Sequence, residues 1–386
     1  MNLQLKTNKF FTDSVYTSTE LLEFEQQQIF RQTWLYIGRV DELMHSSNVR
    51  VIEVAGTSVL LTRSRHGIKA FYNVCPHRAA LFRSEPGHYQ LKRLVCPYHA
   101  WTYNLEGNLI GVPKEERFGA DFCRADYSLI SIRLEQWQNF VFICFSDEAP
   151  ALQEFLGRIP RELDKHITSA TQLLVQKQYQ VQCNWKVYHD NTLCDYHVAV
   201  AHRTTLDPIQ GSVDCYEHEF DLFVNLLYTP TTKMWRSQNR VLEHLSDRSR
   251  QGFFTFGIFP NLHLLALPNG LMSWLRIDPV TVDTSSIHLE IYGVPELIST
   301  DVLQEFEAFM AEDIAITEGV QKGYASGVYR SGPVNQLEDR IAHQQQLIWQ
   351  FLQAGLQRDR TQHPHLAAMI SNAFMNSPTF AHKMFS

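Results

Sequence analysis

Asn73-Val-Cys-Pro-His-Arg78 and Cys96-Pro-Tyr-His-Ala-Trp101 are two short segments that each pair a cysteine with a histidine. Zinc sites usually place two cysteines close together and two histidines further on, because each close pair shares one turn. A two-iron cluster with mixed ligands instead needs each loop to give one thiolate to the first iron and one imidazole to the second. The pattern predicts a [2Fe–2S] cluster, with structural zinc or no metal as alternatives. The ligands would be Cys75, His77, Cys96 and His99.

Short β-branched runs surround these two segments. Residues 49–54 and 58–62 are examples, and Gly56 and Gly67 follow such runs at positions suited to tight turns. The pattern continues to the apolar run at 139–145. It predicts a small all-β domain of antiparallel strands over residues 39–150, built around the cluster.

The rest of the chain mixes helical and strand patterns, which predicts a second domain from residues 1–38 and 151–386. Apolar residues recur at helical spacing in 152–163, 184–202, 301–323 and 335–357. Strands are predicted near 173–181, 218–229, 253–259, 262–267 and 272–277. The fold class is therefore α+β, with an antiparallel sheet covered by helices in the larger domain.

Composition excludes several classes of protein. The 386 residues carry 34 basic and 41 acidic side chains, a net charge of −7, which argues against a nucleic-acid or anionic-membrane partner. No apolar run reaches the length of a membrane span, and the first residues lack a signal-peptide core. Seven scattered cysteines suggest reduced thiols. We therefore expect a cytoplasmic protein.

A second group of metal-binding residue types lies in 184–202. His197 and His202 are five residues apart, and on a regular helix that separation turns about 140°, so both rings could not face one ion. A wider π-type turn or a helix break between them would bring them together. Without such a feature, the two histidines are ordinary surface or core residues of an amphipathic helix.

Taken together, the two groups resemble the large (α) subunits of Rieske non-haem iron oxygenases. The cysteine and histidine loops resemble the Rieske domain, and 184–202 resembles the catalytic iron motif. The resemblance extends from about Leu22 to Leu352. In the second motif the matching residues are Asn184, Trp185, Lys186, Asp190, Asn191, Asp195, Tyr196, His197 and His202.

The resemblance implies a mononuclear iron held by His197, His202 and a carboxylate. Two histidines and one acid on one face of Fe(II) leave open positions for O₂. Asp313 matches the family's acid on its C-terminal ligand helix, while Glu312 and Glu318 are rivals on the same predicted helix.

In this family a carboxylate joins an iron-ligand histidine to a Rieske histidine of the neighbouring subunit. It usually lies three residues before the first iron histidine, where this chain has Cys194. The resemblance therefore suggests Asp195 as the bridging catalytic residue, with His99 of a neighbouring subunit as its partner. Asp190 is the alternative bridge. A bridge between subunits implies a homotrimer.

The predicted activity is oxygenation of a small organic substrate with O₂. Because no dinucleotide-binding fingerprint is present, electrons would come from a separate NAD(P)H-dependent ferredoxin or flavin reductase. Only four residues separate Asn191 from Tyr196, as in members that act on carnitine, which favours N-methyl or aliphatic oxidation. The alternatives are an aromatic-ring-hydroxylating dioxygenase, or an electron carrier with an inactive catalytic domain. Candidate pocket residues are Phe223, Leu226, Tyr228, Trp235, Phe254, His263, Leu265 and Trp274.

Overall fold

The computed structural model describes residues 9–358 and 363–373. In these residues the helices are α1 (Ser14–Thr17), α2 (Thr19–Glu25), α3 (Val40–Leu43), α4 (Leu152–Phe155), α5 (Ile159–Leu163), α6 (Trp185–Thr192), α7 (Val198–Ala201), α8 (Lys233–Gln238), α9 (Asp247–Gln251), α10 (Val302–Ala325), α11 (Asp339–Arg358) and α12 (Pro364–Asn372). None of the described helices combines the length and the apolar character needed to cross a membrane.

The strands confirm the antiparallel sheets expected from the sequence. They are β1 (Leu35–Arg39), β2 (Val49–Val54), β3 (Thr57–Ser64), β4 (Gly67–Tyr72), β5 (Gly87–Tyr89), β6 (Leu94–Val95), β7 (Thr102–Tyr103), β8 (Leu109–Gly111), β9 (Ser131–Trp137), β10 (Phe140–Cys144), β11 (Gln172–Val181), β12 (Glu217–Phe220), β13 (Val224–Pro230), β14 (Gly252–Ile258), β15 (Leu262–Ala266), β16 (Met272–Thr281) and β17 (Thr284–Gly293).

The chain forms two compact units. One is Phe30–Leu152, and the other comprises the described parts of Met1–Ile29 and Gln153–Ser386. Residues 30–38 were expected in the larger domain, but they belong to the smaller unit. The reason is that β1 pairs with β10, for example Leu35 with Ile143.

The smaller unit is built on a seven-stranded antiparallel sheet in the order β1-β10-β9-β4-β3-β2-β5. Gly56 and Gly67 have φ of 67° and 105°, at the two predicted turns between β2, β3 and β4, a region that glycine enters without a steric penalty. A small sheet, β6-β7-β8, flanks the second cysteine loop, which connects β6 to β7. One buried cluster packs Cys75 and Cys96 among aromatic and aliphatic side chains.

The larger unit is built on the sheet β11-β17-β16-β15-β14-β13-β12, again antiparallel. Helix α10 buries one stripe of side chains: Val302, Phe306, Met310, Asp313, Thr317 and Gln321. Gln321 of that stripe accepts a hydrogen bond from the backbone N–H of Asn184 at 3.0 Å. Asn184 is also the N-cap of α6, so the start of α6 is fixed against α10.

Candidate metal centres

The two cysteine and histidine segments of the smaller unit form loops of the same construction. The N–H of Cys75 donates to the carbonyl of Ala80 at 2.8 Å, and the N–H of Cys96 donates to that of Trp101 at 2.9 Å. Each loop also contains an alanine in the left-handed region, Ala79 with φ of 56° and Ala100 with φ of 57°. The two Cys/His pairs therefore lie on loops with the same backbone hydrogen bond and the same left-handed residue.

The four side chains of these loops are suited to a mixed cluster. Cys75 and Cys96 are buried free thiols, and burial is the main cause of a raised pKa at Cys75. The rings of His77 and His99 have centroids 4.5 Å apart, and both Nδ1 atoms are buried without a hydrogen-bond partner. A buried imidazole nitrogen without a partner is costly unless it binds a metal. Two thiolates and two imidazoles fit the two irons of a Rieske cluster.

His197 and His202 lie at the two ends of a short helix in the larger unit. Helix α6 ends at Thr192 and α7 begins at Val198. His197 is the N-cap residue of α7 and His202 is its C-cap residue. Their Nε2 atoms lie 3.1 Å apart. The interruption therefore lies before His197 and not, as the sequence predicted, between the two histidines. Because both histidines are cap residues at the ends of a four-residue helix, the turn of a long regular helix does not fix their relative direction.

Asp313 completes this group of potential ligands. Its Oδ1 lies 2.9 Å from Nε2 of His202 and 3.4 Å from Nε2 of His197. Adjacent ligands on one face of an octahedral ion are about 3.0 Å apart when each metal–ligand bond is about 2.1 Å. The three atoms therefore have the spacing of a two-histidine, one-carboxylate facial site.

The two rival acids on α10 have other partners. Oε2 of Glu312 lies 2.7 Å from Nδ1 of His202 and accepts a hydrogen bond from the hydroxyl of Thr205 at 2.8 Å. Glu318 accepts a hydrogen bond from the backbone N–H of Gln182 at 3.1 Å. Sequence reasoning missed the role of Glu312, which holds the ring whose other nitrogen faces Asp313.

The buried stripe of α10 contains a signal that separates these acids. Asp313 follows Phe306 and Met310 at the spacing of one helix face, whereas Glu312 and Glu318 lie off that face. The helical period of the apolar residues therefore distinguishes Asp313 from Glu312 and Glu318 as the acid on the buried face.

The charges at this site are strongly coupled. Burial by itself raises the pKa of Asp313, but hydrogen bonds from His197 and His202 bring it below its usual value. For His197, burial lowers the pKa, and Asp313 and Cys194 outweigh that effect to raise it to about 9. Such coupling between two imidazoles and a buried carboxylate is typical of a functional site.

Asp195 contacts two side chains of its own unit, Arg340 and His218. Its carboxylate accepts hydrogen bonds from Nη1 of Arg340 at 3.0 and 3.3 Å, and lies 2.8 Å from Nε2 of His218. No hydrogen bond between Asp195 and His197 is found in the described chain. The predicted bridge from Asp195 to His99 of a neighbouring subunit, and its role in electron transfer, stay predictions.

Asp190, the alternative bridge, faces another part of the unit. It accepts hydrogen bonds from the hydroxyl of Tyr16 at 2.9 Å and from the amide of Gln345 at 2.8 Å. Both partners lie outside the His197–His202–Asp313 group.

A cavity of about 60 Å³ adjoins His197, His202 and Asp313. Its walls are mainly apolar and include Phe253, Leu265, Leu275, Phe306, Phe309 and Met310. Of the eight pocket residues expected from the sequence, only His263 and Leu265 line it. Side chains alternate along a strand, so on β14 the cavity is lined by Phe253 and Thr255 rather than Phe254.

Comparison with known proteins assigns each unit to a family. Residues 33–135 match the Rieske [2Fe-2S] domain, and residues 171–354 match the catalytic domain of the ring hydroxylating alpha subunit. The first domain carries a [2Fe–2S] cluster and the second a mononuclear iron, which favours the cluster over the zinc alternative.

Individual relatives agree with these matches. The chain is 28% identical to the carnitine monooxygenase oxygenase subunit of Acinetobacter pittii, covering 83% of this chain and 86% of the relative. It is 32% identical to the glycine betaine monooxygenase oxygenase subunit of Pseudomonas aeruginosa, over 48% of this chain and 43% of the relative.

A solved structure is also similar. It is that of a quaternary ammonium Rieske monooxygenase, described for carnitine oxidation and inter-subunit electron transfer, with a TM-score of 0.73 and 26% identity over 90% of this chain and 96% of that one. With a Rieske domain, a catalytic domain and relatives of this kind, the chain belongs to the α subunits of the Rieske non-haem iron oxygenases.

Proposed function

We propose that this chain is the oxygenase component of an enzyme that hydroxylates a carbon atom attached to the nitrogen of a small quaternary ammonium compound. The observation that carries the proposal is the cavity, which joins the His197–His202–Asp313 group to an aromatic wall. The relatives named for carnitine and glycine betaine support the same substrate class.

The aromatic wall gives a physical reason for this substrate class. The ring of Phe309 lies 6.2 Å from that of His202, and the ring of Phe306 lies 5.0 Å from that of Phe309. Phe253 lines the same cavity from the sheet. Aromatic faces attract a methylated ammonium group by cation–π interaction, without the cost of desolvating a second charge.

Each metal ligand set is also part of the proposal. His197, His202 and Asp313 would hold the mononuclear iron, and Cys75, Cys96, His77 and His99 would hold the Rieske cluster. When bound, these groups supply O₂ activation and electron delivery. The protein contributes orientation: Glu312 fixes the His202 ring, and the apolar walls exclude water from the reacting carbon.

The overall reaction requires an external reductant that supplies two electrons. One oxygen atom of O₂ enters a C–H bond, and the other leaves as water with two electrons and two protons. Hydroxylation beside a quaternary nitrogen gives a carbinol that breaks its C–N bond, releasing a tertiary amine, an aldehyde and a proton. We propose a separate ferredoxin or flavin reductase as the electron donor, and a homotrimer as the assembly.

The test is reconstitution with a reductase, NADH and ¹⁸O₂, followed by measurement of amine and aldehyde from methylated ammonium compounds. We expect both products in equal amounts, with ¹⁸O in freshly trapped aldehyde. A loaded protein whose cluster is reduced but which oxidises no substrate of this class would favour the electron-carrier alternative. Light scattering at several protein concentrations tests the trimer separately.

A further inference from the structure

Three tyrosine rings form a stack in the larger unit. The ring of Tyr16 lies 4.2 Å from that of Tyr324 and nearly parallel to it, and the ring of Tyr329 lies 4.9 Å from that of Tyr324. Tyr16 is 1% exposed, whereas Tyr324 and Tyr329 are partly exposed. The stack therefore leads from a buried ring to the surface of the unit, through aromatic contacts of the usual geometry.

The hydroxyl of Tyr16 faces a carboxylate that can accept its proton. It donates a hydrogen bond to Oδ2 of Asp190 at 2.9 Å. The amide of Gln345 donates to the same oxygen at 2.8 Å and to the Tyr16 hydroxyl at 2.9 Å. The other carboxylate oxygen, Oδ1, is buried without a hydrogen-bond partner among the described residues. A hydroxyl and a carboxylate at this distance are within reach for proton transfer.

The protein shifts the pKa values of both groups. Burial, followed by the charge of Asp190, raises the pKa of Tyr16 well above its usual value, so the hydroxyl keeps its proton in the resting protein. Burial also raises the pKa of Asp190 to about 7, against the hydrogen bonds from its two partners and the charge of Lys186. Asp190 is therefore a stronger base than an ordinary aspartate.

Two helices connect the tyrosine stack to the candidate iron site. Asp190 is followed on α6 by Asn191, which lines the cavity together with Asp313. Helix α10 carries both Asp313 and Tyr324, whose separation of eleven residues is roughly 17 Å along the helix. Short paths of covalent bonds with a single hydrogen bond therefore link the cavity to Tyr16.

The walls of the cavity contain side chains that an oxidant can damage. They include Phe306, Phe309 and Met310, and a methionine sulfur is readily oxidised to the sulfoxide. An oxidising equivalent that forms beside these side chains and meets no substrate would react with them. An electron drawn from elsewhere in the protein would remove that equivalent first.

We infer that Tyr16 is a redox-active tyrosine, which donates one electron to the iron site when an oxidising equivalent there is not used on substrate. Tyr16 gives its electron to the site and its proton to Asp190, and becomes a neutral tyrosyl radical. A thiol in solution returns an electron through Tyr329 and Tyr324 and releases its own proton to the solvent, while Asp190 returns the first proton to Tyr16. The inference rests on the proposed iron site and is independent of the substrate class.

The test is electron paramagnetic resonance of the loaded protein, with Fe(II) at the mononuclear site and an oxidised cluster, frozen after mixing with hydrogen peroxide in the absence of substrate. One peroxide takes two electrons and two protons and leaves as two water molecules. Fe(II) supplies one electron as it becomes Fe(III), and Tyr16 supplies the other. We expect the signal of Fe(III) together with a radical signal that narrows when the protein is made with ring-deuterated tyrosine.

Variants assign the radical to its residue. Tyr16→Phe should lose the radical signal and form more sulfoxide at Met310, measured by mass spectrometry. Asp190→Asn keeps the ring but removes the proton acceptor, so it should lose the signal as well. Tyr292→Phe is the matched control, because Tyr292 is another buried tyrosine whose hydroxyl donates to a carboxylate, that of Glu290 at 2.9 Å, but it lies on β17 outside the stack. It should keep the signal. Circular dichroism checks that each variant is folded.

The outcomes separate this inference from the function on which it rests. An Fe(III) signal without a tyrosyl radical, or a radical that Tyr16→Phe or Asp190→Asn retains, would overturn the inference while the proposed oxygenase stands. If peroxide does not oxidise the mononuclear iron, the proposed function loses its reactive site, and the inference fails with it.

Discussion

Oδ1 of Asp195 lies 3.0 Å from Nη1 of Arg340, and the two side chains are 5% and 0% exposed. The same guanidinium donates from Nε to Asn225 at 2.9 Å, and from Nη1 to Thr255 at 2.9 Å. This buried pair joins the residue two positions before His197 to the start of α11. It gives Asp195 a structural role beside the candidate iron site.

Replacing Asp195 with alanine should destabilise the larger unit. The change leaves the buried Arg340 charge without its partner, a loss of about 3–5 kcal/mol in the free energy of unfolding. Urea titration followed by tryptophan fluorescence measures it. Glu106→Ala is the control, since it removes an ion pair with Lys69 whose side chains are 22% and 44% exposed, and loss of an exposed pair should cost far less. An equal loss in both variants contradicts this role.

Glu312 is expected to support iron binding without being a ligand. Because it holds Nδ1 of His202 at 2.7 Å, Glu312→Ala should weaken metal binding by about tenfold to a hundredfold. Competition with a chelator, using Fe(II) or Co(II), measures the affinity. Glu305→Ala removes an exposed acid of the same helix and should change little. Complete loss of metal from Glu312→Ala would instead indicate that Glu312 is itself a ligand.

Asp313 and Glu318 should differ in their effect on the metal content. Asp313→Ala removes one of three converging ligand atoms, so we expect loss of the mononuclear iron while the visible absorption of the [2Fe–2S] cluster stays. Glu318→Ala should retain both, because Glu318 contacts the backbone N–H of Gln182. Iron analysis together with the absorption spectrum distinguishes the two. Retention of the mononuclear iron by Asp313→Ala would remove Asp313 from the ligand set.

His166 should make the protein sensitive to acid. Its two ring nitrogens are buried without a partner, and burial lowers its pKa to about 4, with a smaller effect from His244. The folded state therefore has the lower pKa, and the unfolded chain binds more protons between about pH 4 and 6.5. Stability is fully present above pH 6.5 and is lost as the pH falls through this window.

His166→Phe should remove that contribution. The wild-type protein should lose about 2 kcal/mol of unfolding free energy through His166 between pH 7.5 and pH 5. The variant should lack this loss, so its stability relative to the wild-type protein should rise by that amount. Urea titrations at the two pH values measure the difference. His66→Phe, at an exposed turn of the smaller unit, serves as the control and should show no such gain. A His166→Phe variant that follows the wild-type pH dependence would show that His166 is protonated in the folded state.

The lining of the cavity shows what a strand pattern in the sequence does not predict. The strands β14, β15 and β16 were expected at nearly the observed positions, yet two of the four expected pocket residues on them, Phe254 and Trp274, do not line the cavity. Along β14, Phe254 was expected and Phe253 and Thr255 are found. A strand pattern predicts that alternate residues share a face. When both faces are buried, as along all of β14, the pattern does not say which face meets the site.

The sequence by itself indicated the two metal motifs, because the candidate ligands of each motif are near neighbours on the chain. Cys75 and His77 share one loop, Cys96 and His99 share another, and His197 and His202 flank one short helix. Residue types and their mixed spacing indicated the first motif, whereas the second was indicated by its resemblance to the iron motif of the family. Asp313 was indicated by the same resemblance, and it lies on the buried stripe of α10.

Only the tertiary structure decided what surrounds those ligands. Asp195 and Arg340 are 145 residues apart, and His202 and Glu312 are 110 apart. Such contacts depend on the rotation of each helix and on the register of each strand, which pairwise spacing does not specify. Composition alone does not say which of several acidic residues lies beside His197 and His202. Packing selected one of them as the third potential ligand, one to hold a ligand ring and one to pair with a buried guanidinium.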